Sequence, residues 1–473
     1  MLPTFPDPMP PVDAGARQRL VSVSAPCAQV DPMQAFLHGA GRERFYWQDP
    51  RGGVTHVGFG VAADLRGWGS NRFQSIAQQA TALFANAHLA IQTPAFAEPH
   101  LFGGFAFSDD FTPDNTWSVY YPAQFILPHY QLSMCNKVAG ESETWLTINA
   151  LLDVTAEVSA AKLAAEAGEL AASLSVALAE RIEQLQQTRL HMAELPQLHS
   201  QNYPMSYPAW EQILNTAITQ FKTGALSKVV LSRVCELRFQ QNLDVAPALA
   251  YLNRTYPDCY RFVFEPRPHH AFLGASPELL VNLRGQQITT MGLAGSEPRG
   301  STPAADAALG QQLMHSAKDR REHQLVVDAL RQRLQPLCRI LEIADQPQLL
   351  KLSNIQHLYT PVTGTLNAPQ SILNLLEVLH PTPALGGAPR APALEFIRQM
   401  EPAPRGWYAA PVGVLNRHMA GTFTVAIRSA VTDYERVWLH AGAGIVEASN
   451  PQKEWDETAL KFRPILNALQ VGA

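Results

Sequence analysis

Charge and cysteine are both scarce in this sequence of 473 residues. The five cysteines, Cys27, Cys135, Cys235, Cys259 and Cys338, form no C-x-x-C pair, which argues against a zinc site or a disulfide framework and suits a reducing cytoplasm. Charged residues are only 16% and sum to -5, and no basic cluster is interleaved with aromatics, so no nucleic acid or acidic membrane partner is expected. No stretch reaches the roughly 20 apolar residues of a membrane span. The opening MLPTFPDPMPPVDAGARQRL lacks the apolar core of a signal peptide, so a cytoplasmic location is expected. There is no Walker A sequence and no G-x-G-x-x-G leading into a helix, so no nucleotide is inferred.

What remains is a chain with 46% hydrophobic residues, long enough for two or three domains or one large layered unit. Residues 1–20 read as a loosely packed leader and 21–150 as short strands and turns. The Ala, Leu and Glu-rich segment 155–190 predicts a long helix between an N-terminal portion, 1–200, and a C-terminal region, 204–470. Beyond 204, strand candidates (SKVVLSRVCELRF, CYRFVFEP, AFLGASPELLVNL, QQITTMGLAG, GTFTVAIRSAV, RVWLHAGAGIV) mix with helix candidates such as AKDRREHQLVVDALRQRLQPL and NPQKEWDETALKFRPILNAL. Strands adjacent in sequence favour an α+β fold with large antiparallel sheets.

Several polar residues stand where apolar ones are expected. Glu322 falls in line with Val326, Leu330 and Leu334 at helical spacing, either as an inward carboxylate in need of a partner or as a first-turn complement to the helix dipole. In NPQKEWDETALKF, Asn450 suits an N-cap and Pro451 the first helical position. Glu454, Glu457 and Lys461 then share one face, as a solvated ladder or as oxygen ligands joining Glu322 around Mg²⁺. Lys228 and Glu278 each border apolar strand residues. They read as edge charges facing water, or as a buried base and a buried acid, since burial favours the neutral form of both types. The glycine clusters GLAGSEPRG (292–300) and HAGAGIV (440–446) expose backbone N–H groups to an anion, and Arg428 could grip a carboxylate with both nitrogens. In LHPTPALGGAPR (379–390), a rigid loop carries the methyl of Ala384 where a hydroxyl could stand.

Taken together, KVVLSR, FLGASPELL, GLAGSEPRG, KDRREHQLVVDAL, LHPTPALGGAPR, RGWYAAPVGVL, FTVAIRSA and GAGIVEASNPQKEWDETALK resemble, in order, the chorismate-utilising enzyme family, over residues 204–470. The likeness is greatest to its isochorismate synthase branch. It implies one α+β unit of the anthranilate synthase component I type, with sheets packed face to face and helices outside. It also implies Lys228 as the base that activates water and Glu278 as the acid that protonates the departing hydroxyl. Glu322 and Glu457 match Mg²⁺ ligands, with Glu454 as a further carboxylate; Gly295, Ser296, Arg428, Gly442 and Lys461 match positions that hold the substrate, and Ala384, Leu385 and Tyr408 line its pocket. The implied reaction is isomerisation of chorismate to isochorismate, for menaquinone synthesis by the reading of FYWQDP and VGFGVAADL, with a siderophore pathway or a salicylate synthase as alternatives. Ammonia-using members typically read A-G-T-x-S-G-A-P-K where this chain has TPALGGAPR, with Ala384 for Thr and Arg390 for Lys. That departure favours water as nucleophile and no glutaminase subunit; a monomer or weak homodimer is expected.

Overall fold

The computed structural model describes residues 17–89, 93–114, 116–137, 141–154 and 159–472. The expected leader lies mostly outside these residues, but 17–20 are no leader: they begin the strand Arg17–Pro26, where Leu20 is buried. Among the described residues, hydrogen bonding links all 21 strands, and the only parallel contact is that of Arg17–Pro26 with His88–Leu89. With ten α-helices around them, the expected α+β class is what the chain adopts.

The pairing follows two long runs that share the strand Ala123–Asn136. The first passes from Arg17–Pro26 through Ser142–Val154, Ala123–Asn136, Val54–Gly67, Arg44–Asp49, Tyr260–Arg267, His270–Ser276, Ser429–Asp433 and Arg436–Ile445 to Lys228–Phe239. The second leaves Ala123–Asn136 for His100–Phe105, Pro411–Asn416, Gly421–Val425, Leu279–Arg284, Gln287–Pro298 and Ile355–Leu366. Aromatic side chains join the runs face to face, as where Phe45 of the first meets Phe102 of the second at 5.9 Å. Helices cover the outer surfaces: Ala160–Gln187 lies on Arg17–Pro26 and Ser142–Val154, and Pro451–Ala468 on Arg436–Ile445. The first of these is the long helix expected between 155 and 190. Ala167, Ala171, Leu174, Leu178 and Leu185 form its buried stripe, and each buried Leu contributes roughly 1.5–3 kcal/mol.

Three expectations need correction. The N-terminal strands are not short: Val54–Gly67 and Ala123–Asn136 each run 14 residues. Gly60 takes φ +67° beside a bulge between Val61 and Ala63 that lets the strand bend and continue. AFLGASPELLVNL and GTFTVAIRSAV are each two strands, not one. Pro277 lacks the ladder donor and Arg428 adopts φ +52°, so both segments break there, and each break carries the chain from one run to the other.

Candidate active site

The two breaks lie side by side, since Gly274 pairs with Ser429 in the first run and Leu279 with Thr424 in the second. Where the sheets part, a cavity with about 570 Å³ of empty space, including its open mouth, is lined by Glu278 and Arg428 from the breaks themselves. The backbone of Glu278 is pinned: its carbonyl accepts from Thr424 Oγ1 at 2.5 Å and Val425 N at 3.1 Å, and its N–H donates to Ser276 Oγ at 3.2 Å. Its side chain, 5% exposed, does not face water as an edge charge would. Burial pushes its carboxyl up to about 7, although Arg428, Lys228 and Lys461 pull the other way.

Lys228, at the start of its strand, is fully buried. Its Nζ lies 2.9 Å from Glu322 Oε1, yet the approach is not aligned for a hydrogen bond, so the ammonium has an ion-pair neighbour but no acceptor among the described residues. Glu322 does occupy the inward stripe of Ala317–Leu334 with Val326, Leu330 and Leu334, rather than a dipole-complementing surface position. Gly444 makes room for the pair: a Cβ there would sit 2.2 Å from Glu322 Oε1 and 3.1 Å from Lys228 Cε. Lys228 therefore stands behind Glu322 and does not itself line the cavity.

The helix Pro451–Ala468 is capped as its sequence predicts, with Asn450 Oδ1 accepting from Lys453 N at 3.1 Å. Glu457 and Lys461 form the expected i, i+4 pair at 2.5 Å, but it points into the cavity rather than to solvent, and Lys461 also donates to Gly442 O at 2.8 Å. Against the cost of burial, Lys461 holds the Glu457 carboxyl below its usual range. Glu454 is 1% exposed, paired with Lys318 at 2.5 Å, and absent from the cavity wall. Burial and the like charge of Glu457 push it up to about 7. Two carboxyls not anticipated, Glu297 and Asp319, are also pushed up, by burial first and then by neighbouring acids that include Glu457. Two carboxyl groups in the cavity wall, Glu322 and Glu457, thus have three more, Glu297, Asp319 and Glu454, close to them. No three metal-binding side chains form a ready-made ligand group among the described residues, and lysines pair with Glu322, Glu454 and Glu457.

Arg428 donates to His357 Nε2 at 3.2 Å, while His357 Nδ1 lies 3.0 Å from Ser296 Oγ and 3.1 Å from Gly295 O. An Nε2 that accepts requires the proton on Nδ1, and burial, with Arg428 close by, keeps this imidazole neutral well below its usual pKa. Gly295, with φ +76°, carries no Cβ where one would lie 3.1 Å from Asp319 Cβ. The loop 379–390 forms a further wall through Ala384 and Leu385. It is clamped from behind: Arg405 donates to Leu385 O at 2.9 Å and to Val230 O at 2.8 Å, and Arg333 donates to Leu379 O and Pro381 O. Gly387–Ala388 pairs with Lys228–Val229, tying this wall to the lysine strand.

The fold therefore gathers Glu278, Gly295, Ser296, Glu322, Ala384, Leu385, Tyr408, Arg428, Gly442, Glu457 and Lys461 around one cavity, and leaves Lys228 and Glu454 just behind its wall. Sequence reasoning missed His357, Gly444 and the clamp residue Arg405. Gly444 lies inside the glycine cluster already singled out, but nothing in the chain flags a lone His in a strand interrupted by Pro361 and Gly364.

The family model for chorismate binding enzymes matches residues 11–470. The chain belongs to the chorismate-binding enzyme family. Among relatives of this family, the salicylate biosynthesis isochorismate synthase of Pseudomonas aeruginosa is 36% identical over 459 residues, 96% of this chain and 90% of that protein. Isochorismate synthase MenF of Bacillus subtilis is 33% identical, with 95% and 93% covered. The solved structure of MenF, the menaquinone-specific isochorismate synthase from Escherichia coli, superposes with a TM-score of 0.76 at 27% identity over 96% of each chain. Anthranilate synthase component I from Streptococcus pneumoniae shares the fold, with a TM-score of 0.70 at 18% identity.

Proposed function

We propose that this chain is an isochorismate synthase, an isomerase that converts chorismate to isochorismate by adding water at ring carbon 2 and expelling the hydroxyl at carbon 4 as water. The observation that carries the reading is Glu278: a buried carboxyl pushed to about 7 beside Arg428 and Lys461 in one cavity, an acid placed among anchors for a dianion. Support for the nucleophile comes from Ala384, whose methyl offers an incoming ammonia no polar anchor on that wall.

In this mechanism Arg428, held by neutral His357, grips one carboxylate, with Lys461, Ser296 and the backbone at Gly295 and Gly442 completing the cradle. Lys228, in its neutral form, takes a proton from the attacking water from just behind the cavity wall, its Nζ having no hydrogen-bond acceptor among the described residues. The ring double bonds shift and Glu278 gives its proton to the leaving hydroxyl, so one water enters and one departs. Tyr408 closes the pocket.

The crowded carboxyls fit a hard cation. Burial first, and then the like charge of neighbouring acids, raises Glu297, Asp319 and Glu454, and Mg²⁺ needs only one or two carboxylates beside waters and an anionic ligand. Glu322 and Glu457 would hold it, with Glu454 directly or through water. Bound there, Mg²⁺ supplies charge neutralisation for a substrate carboxylate.

We further propose that the enzyme works in the cytoplasm, without a glutaminase subunit, as a monomer or weak homodimer. The five cysteines are free thiols, and no helix among the described residues is long and apolar enough to cross a membrane. The menaquinone route rests on FYWQDP and VGFGVAADL, whose strands contribute nothing to the cavity wall, so neighbouring genes test that assignment. For the reaction itself, purified protein is incubated with chorismate and Mg²⁺, with and without ammonium, and the products are separated by chromatography. Isochorismate without pyruvate is expected, and chelation of Mg²⁺ should stop its formation. Salicylate with pyruvate, an amino product or no turnover would overturn the assignment.

A further inference from the structure

His440 is a buried histidine that the mechanism above leaves unused. It lies on the strand Arg436–Ile445, two residues before Gly442 of the cavity wall, and is 4% exposed. Neither Nδ1 nor Nε2 has a hydrogen-bond partner among the described residues. Burying two unpaired polar atoms is costly, and such a group in a well-packed protein calls for a reason. The ring's face supplies one. It stacks on Tyr408 with centroids 5.0 Å apart and planes inclined by 21°.

Tyr408 itself reaches the cavity wall, but no hydrogen bond from its hydroxyl is formed among the described residues, and His440 is its only aromatic neighbour there. Gly442 leaves space at the other end of the phenol, since a Cβ there would lie 3.1 Å from the Tyr408 hydroxyl oxygen. Stacking, rather than a hydrogen bond, thus sets the direction of the phenol. We propose that His440 is a positioning residue: by stacking on Tyr408 it fixes where that hydroxyl enters the cavity to meet a carboxylate of the substrate. The inference rests on reading the cavity as the chorismate site. Burial that pushes the imidazole down to about 3 keeps the stacked ring uncharged, so the arrangement is the same across the working pH range.

The test is a cycle of variants assayed for chorismate turnover. His440→Ala should raise KM roughly tenfold, the scale of one hydrogen bond to a charged group, with a smaller change in kcat. His440→Phe, which keeps a flat ring and removes both unpaired nitrogens, should restore KM to within about threefold of the parent, an allowance for imperfect stacking. Tyr408→Phe should show the same KM rise as His440→Ala, and the double variant Tyr408→Phe/His440→Ala should be no worse than Tyr408→Phe alone. Additive losses, or a His440→Phe enzyme as impaired as His440→Ala, would overturn the proposal. If His440→Ala does not fold by circular dichroism, comparison of His440→Phe with the parent and with Tyr408→Phe still decides it. Failure of the parent enzyme to turn over chorismate would instead refute the functional assignment, a separate outcome.

Discussion

Replacing Glu278 with Gln should make the protein more stable and nearly inactive at once. The fold holds this carboxyl at about 7 against the usual 4.5, chiefly through burial, and at about 1.4 kcal/mol per unit the difference amounts to about 3 kcal/mol. The sign is fixed by linkage. Because the folded pKa lies above the unfolded one, the stabilising contribution is complete below pH 4.5 and is lost as pH rises through 7. Gln has no proton to lose, so Glu278→Gln should gain relative to the parent between pH 5 and pH 8, by up to about 3 kcal/mol. Urea denaturation of both proteins at pH 5 and pH 8 measures that difference. In the same proteins, loss of a general acid should lower kcat by roughly 10²–10⁴, and the parent's kcat should decline with pH above about 7 as the acid ionises. A stability difference that does not change with pH, or a Gln variant with parental turnover, would refute the argument that burial keeps this acid protonated for catalysis.

Other expectations follow from the same geometry. Lys228→Ala should abolish turnover while circular dichroism stays native, and it should lower the urea midpoint because Glu322 loses its buried partner, a cost of roughly 3–5 kcal/mol; retained activity would remove Lys228 as the base. Ala384→Thr places a hydroxyl on the ring wall and should impair water addition or admit an amino product when ammonium is present; chromatography that shows an unchanged enzyme would mean that the loop does not select the nucleophile. Acid should weaken the N-terminal core, where the His56 and His100 rings pack with centroids 4.4 Å apart. Burial holds His100 down to about 4 and His56 well below its usual value, so the unfolded chain takes up protons first as pH falls below 6.5. From His100 alone, stability at pH 5 should fall about 2 kcal/mol below that at pH 7, and equal urea midpoints at the two pH values would contradict this.

Local rules made part of the site legible in the sequence. Glu322 fell in line with the apolar stripe at 3.6-residue spacing, which left an inward carboxylate and a first-turn dipole complement both open, and Asn450 followed by Pro451 marks a helix start that fixes Glu457 and Lys461 on one face. Glu278 and Arg428 were recognisable as residues but not as crossing points. That Pro277 and a left-handed Arg428 break two neighbouring strands at one level is a matter of register between distant segments. Lys228 lay where expected in sequence, yet the depth that puts it behind Glu322 depends on Gly444 across the sheet. His357 was invisible because Pro361 and Gly364 weaken the strand signal of its segment, and pairing with Gln287–Pro298 on one side and Cys338–Ile343 and Gln348–Lys351 on the other makes it a strand.

The central claim is that solvent water attacks carbon 2 while the carbon 4 hydroxyl departs. Turnover of chorismate in ¹⁸O-labelled water, followed by mass spectrometry of the isochorismate formed in the first turnovers, tests this directly. One ¹⁸O in the hydroxyl at carbon 2 is predicted. Unlabelled isochorismate would mean that the hydroxyl migrates within the substrate, and would contradict the assignment of Lys228 and Glu278 as the base and acid of a water exchange.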